Sequence, residues 1–109
     1  MPFLAGLFLI AHGLVHVPVW IAAPPEGAPF DARHSWLLGE PRGLVQTLAI
    51  VAALLFAIAG TLVIAGAGPG AGLAIAAAAV SLLLVALTFN RWLLGAVAIN
   101  LAIVAIALG

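Results

Sequence analysis

His12 and His16 stand four residues apart in the stretch LIAHGLVHVPVW. On a helix that spacing puts both imidazoles on one face, with Phe8 one turn before them and Trp20 one turn after. Three kinds of chemistry use such a pair. Two ring nitrogens projecting from one face can chelate a divalent metal. Two imidazoles in sequence can relay a proton or line the path of a small solute. Neutral imidazoles can also hydrogen-bond to neighbouring helices and hold them together. A haem clamped on both faces lies beyond the reach of one helix and would need a second histidine from another copy. Gly13 leaves room for a close neighbour, and Pro18 cannot donate to the Leu14 carbonyl, which predicts a kink within a turn of His16.

A metal centre needs more than two ligands. The remaining donors are His34, Glu26, Asp31 and Glu40, so a site built on His12, His16 and His34 requires the loop carrying His34 to fold back. There is no cysteine and the one methionine is Met1, which excludes thiolate ligands, disulfides and copper(I) trafficking on sulfur. The pair is therefore compatible with a divalent metal or a haem without selecting either. No nucleophile stands with a base, no phosphate-binding loop is present, and no catalytic residue is assigned. GAGPGAG lacks the lysine and the strand of a nucleotide loop.

The elements that must position the histidines follow from composition. The chain of 109 residues is 67% hydrophobic and 6% charged, with a mean hydropathy of +1.40. That profile belongs to an integral membrane protein. Zero formal net charge offers no basic patch for nucleic acid. Residues 3–23 carry no charge and are long enough to cross a bilayer core, which takes about 20 residues. The first segment lacks a basic start and has histidines at its centre, so it is expected to be retained rather than cleaved. Residues 44–66, 73–89 and 92–108 form three further spans, separated by the glycine-rich turn around Pro69 and by Asn90 and Arg91. The fold predicted is all-α: a single membrane domain over 1–109, a four-helix bundle with one long charged loop at 24–43.

That arrangement puts every charged side chain on one side: Glu26, Asp31, Arg33, Glu40 and Arg42 in the loop, and Arg91 in the third connection. By the positive-inside rule the side with the arginines is cytoplasmic, in a bacterial inner membrane. Trp36, within the apolar tip SWLLG, is expected at headgroup depth, and Arg91 beside Trp92 as a snorkelling anchor at a helix end. Alanines at four-residue spacing, Ala49, Ala53 and Ala57 above all, suggest packing seams. At about 1.5 Å per residue, His16, Ser81 and Asn100 fall at one depth, with His12 a turn deeper. Polar groups in hydrocarbon cost several kcal/mol unless paired, so these four are expected to point inward and meet.

In size and layout the chain resembles the small multidrug resistance transporters, whose first-helix glutamate has no counterpart here, and in length and long first loop it resembles the DoxX-like membrane proteins. GLFLIAHGLVHVPVW and HSWLLG look like segments of small uncharacterised four-helix bacterial membrane proteins. These resemblances transfer no functional residue. The expectation is an accessory or cofactor-holding subunit, with the lipid bilayer and further copies or a larger complex as partners. The alternative is a homo-oligomeric transporter or channel for a small solute or a proton.

Overall fold

The computed structural model describes residues 2–109. Its helices are α1 (Pro2–His16), which continues as a π-helical turn (Val17–Ile21), then α2 (Arg42–Ile64), α3 (Gly70–Leu87) and α4 (Leu94–Leu108), the last entered through a 3-10 turn (Arg91–Leu93). With their adjoining turns, all four are long and apolar enough to cross a membrane. The molecule measures 41 × 22 × 22 Å, somewhat longer than the roughly 30 Å hydrocarbon core of a bilayer.

Local chemistry explains the ends. Pro18 has no amide hydrogen, and the chain answers with a wider turn in which the Ala22 amide reaches the Val17 carbonyl at 3.0 Å. The expected kink is thus a π turn, and it carries Trp20. Helix α2 closes on a Schellman motif: Gly66, at φ +72°, donates to Val63, and Ala67 donates to Leu62. Helix α3 then starts at Gly70, three residues before the expected Leu73, because Gly70 packs against Val63 and the turn needs only the residues between. Arg42, expected in the loop, is the first residue of α2.

Small residues bring α1 and α2 together. A Cβ on Gly13 would lie 2.7 Å from the Phe56 Cβ and 2.9 Å from the Ala53 carbonyl oxygen, so only glycine fits at this crossing. The buried face of α2 runs Val45, Ala49, Ala52, Phe56, Ala59, rather than along a strict four-residue alanine seam. The reason is geometric: at 3.6 residues per turn a strict i+4 row drifts around the helix, and alternating steps of three and four stay on one side. Apolar side chains pack in two clusters, one around Phe56, Ala77 and Ile103 and one around Trp20, Val45 and Leu84.

The long loop folds back over the end of the bundle. Phe30, Asp31, His34 and Glu40 face Thr88, Phe89 and Asn90 across a cleft of about 430 Å³, so the first and third connections share one end of the molecule. Asn90 starts the 3-10 turn by accepting from the Trp92 amide at 2.9 Å. The Arg91 guanidinium lies 5.3 Å from the centre of the Trp92 ring.

Candidate functional site: a buried histidine, serine and asparagine network

The imidazoles of α1 do share a face, and each extends a line of rings. Phe8 stacks on His12 with parallel rings whose centres lie 6.0 Å apart, and His16 stacks on Trp20 with centres 5.0 Å apart. His12 and His16 meet edge to face at 5.4 Å, and Phe56 of α2 closes over both. His16, Ser81 and Asn100 are at most 1% exposed, and His12 is half-buried.

Helices α1, α3 and α4 each contribute polar atoms to one chain of contacts. His16 Nδ1 lies 2.9 Å from the His12 carbonyl oxygen and 3.1 Å from that of Gly13. Carbonyl oxygens only accept, so Nδ1 carries the proton and donates to both. In a neutral ring His16 Nε2 must then accept, and its partner is the Ser81 hydroxyl at 2.8 Å. Ser81 has given its only proton, so its oxygen accepts from Asn100 Nδ2 at 2.9 Å. That fixes the amide orientation, leaving Asn100 Oδ1 to accept from His12 Nε2 at 3.1 Å. Every hydrogen in the chain has one assignment: His12 to Asn100, Asn100 to Ser81, Ser81 to His16, His16 to its own helix.

Three of the four ring nitrogens of the pair are thereby used inside the fold. The fourth, His12 Nδ1, has no partner among the described residues, where no side-chain nitrogen or oxygen is both buried and unpaired, so Nδ1 reaches the molecular surface. Below the network, Trp20 Nε1 donates to the buried Thr88 hydroxyl at 3.0 Å, and Thr88 donates back to the Leu84 carbonyl at 2.8 Å. Sequence reasoning missed Thr88 and Phe56. The signal for Thr88 was available, since it lies seven residues beyond Ser81, on the same face of α3.

The expected metal set is not assembled. His34 remains in the loop, where its Nδ1 lies 2.8 Å from Glu40 Oε1, and among the described residues no three histidine or carboxylate side chains converge as a metal site would require. The physical reason is competition: Ser81 and Asn100 take the two Nε2 atoms that a chelate would need, and Glu40 holds His34 away. Asp31 pairs with Arg33, whose guanidinium donates at 3.0 and 2.9 Å. That hydrogen bond holds the Asp31 carboxyl below its ordinary value. Arg42 and Arg91 are exposed at the same end as the loop.

Fold and site together define a class: four apolar helices of membrane-crossing length around a closed imidazole, hydroxyl and amide network. No protein-family model, no curated protein and no solved structure matches the chain.

Proposed function

We propose that this chain is an integral membrane protein working as a small accessory subunit, and that its histidine pair is an interhelical clasp with one outward-facing acceptor. Four apolar helices support membrane residence, and the three arginines at one end support a cytoplasmic position for the long loop. The observation that carries the functional reading is the closed hydrogen-bond chain. It links α1 to α3 and α4 with every buried side-chain nitrogen and oxygen among the described residues satisfied, which is how polar side chains contribute to helix association in lipid.

A proton relay through this chain would have to pass Asn100, whose amide accepts at oxygen and donates at nitrogen. A hop would need the high-energy imidic form, so the geometry favours a clasp over a wire. His12 Nδ1 is the remaining open position. An acceptor facing hydrocarbon without a donor is costly, and a donor from a second copy or a larger complex would satisfy it. The same atom is the one ring nitrogen of the pair left for a metal or a haem, with the other ligands from outside the chain.

Native mass spectrometry of the protein released from lipid nanodiscs tests the reading. The expected result is an assembly of more than one chain that falls to a single chain in His12→Phe, with helical circular dichroism retained. A single chain for the unsubstituted protein would overturn the subunit reading, and a bound metal ion or haem would replace the clasp with a cofactor site.

A further inference from the structure

We infer that the tip of the long loop, Trp36–Leu38, is a membrane-dipping element that binds the lipid interface from beside the bundle. This inference rests on the membrane reading above. Trp36, Leu37 and Leu38 are 65%, 59% and 50% exposed, an unusual display for a loop unless something apolar covers it. Their position says what does. The Trp36 indole donates to the Ala86 carbonyl at 2.7 Å. Ala86 lies on the exposed side of α3, in its last turn, where carbonyls lack helical partners. The tip is thus tied to a flank of the bundle that faces lipid when α3 crosses the membrane. Ala86 is the last residue but one of α3 and precedes Asn90, so this tie lies on the helix itself, below the level where the chain leaves the bilayer.

The backbone of the tip is built for that environment. Ser35 and Gly39 close it with paired bonds of 2.7 and 2.9 Å, and Gly39 takes φ +81° to make the turn. The buried Ser35 hydroxyl accepts from the amides of Leu37 and Leu38 at 3.2 and 3.0 Å. The amides of Leu37, Leu38 and Gly39 are therefore satisfied within the loop, which lowers the cost of moving this backbone into a poorly hydrated layer. The polar boundary comes immediately outside, at the His34 and Glu40 pair. Arg42 and Arg91, both exposed at this end, complement anionic headgroups. An indole at the interface with two leucines beyond it is the composition that such a layer favours.

Because the chain has no cysteine, single labels test this directly. Spin labels on Leu37→Cys, Glu26→Cys and Leu54→Cys would be compared in vesicles of phosphatidylcholine and phosphatidylglycerol, by the ratio of collision with oxygen to collision with a water-soluble nickel chelate. Leu54 is exposed on α2 in mid-span, and Glu26 is exposed elsewhere in the loop. The Leu37 label is expected to show a ratio several-fold above that of Glu26 and below that of Leu54. A Leu37 ratio equal to that of Glu26, with Leu54 protected from nickel, would overturn the inference and leave the membrane reading standing. Nickel access at Leu54 would overturn both.

Discussion

Replacing Asn100 and His16 by leucine, singly and together, probes the clasp through the atom they share. Both residues bond to Ser81 Oγ, at 2.9 and 2.8 Å, and neither touches the other directly in the network. Asn100→Leu removes the donor to Ser81 and strands the His12 Nε2 hydrogen; His16→Leu removes the acceptor of the Ser81 proton. A buried polar group left unpaired costs about 1–3 kcal/mol, so each single variant should lose stability on that order. In the double variant the Ser81 hydroxyl is released altogether and can turn to the backbone carbonyl one turn earlier in α3. The double loss should therefore be smaller than the sum of the single losses. Coupling energies between polar groups in membrane helices point to a difference of roughly 0.6–2 kcal/mol. Unfolding by sodium dodecyl sulfate in mixed micelles, followed by helical circular dichroism, measures all four proteins. Pairing Asn100→Leu with Thr61→Val, an exposed residue that bonds only to its own helix, supplies the additive control. Additivity of Asn100 and His16 within about 0.3 kcal/mol would refute the reasoning, because a shared partner requires coupling.

Other consequences concern the packing around the network. Gly13→Ala should destabilise by about 1–3 kcal/mol in the same titration, since its methyl would press on Phe56 and the Ala53 carbonyl, whereas Gly95→Ala meets open space and should be neutral or slightly stabilising. Thr88→Val should cost about 1–3 kcal/mol by leaving the buried Trp20 indole without an acceptor, readable as a shift in tryptophan emission and a lowered unfolding midpoint. Asp31 has a folded carboxyl value depressed by Arg33, so its contribution to loop order is present above the ordinary carboxylate value and is lost as pH falls from about 4 downward; the protection of the Arg33 amide against hydrogen exchange, taken relative to the intrinsic rate at each pH, should fall there and hold at neutral pH. Cysteines at Glu26 and Gly68 should label from opposite sides of sealed vesicles, and labelling from one side would contradict the four-span arrangement.

The four helices were legible because hydropathy is a one-dimensional property, and proline, glycine and charge interrupt it cleanly at Pro24, at Gly66 to Gly72 and at Asn90. Depth was legible for the same reason: rise per residue is constant, so His16, Ser81 and Asn100 could be ranked at one level before any contact was known. Rotation of each helix about its axis was not. Helices so uniformly apolar carry almost no one-sided pattern to reveal which face turns inward, and this hid Phe56, which is fully buried against both histidines. Pro18 announced an irregularity but not its form, which is a widened turn that carries Trp20 to Thr88. His34 misled because ligand counting takes no account of competitors. Glu40, six residues away, satisfies it across a turn that Gly39 makes possible, and the hydroxyl and amide of α3 and α4 take the nitrogens that a metal would have used.

The central claim is the direction of hydrogen bonding through the network, and imidazole nitrogen-15 spectra of the protein in lipid bilayers at neutral pH report it without perturbing a residue. His12 should appear as the tautomer protonated at Nε2 and His16 as the tautomer protonated at Nδ1, each with its proton correlated to one ring nitrogen only. The same tautomer in both rings, a doubly protonated ring, or metal-shifted nitrogens would contradict the account.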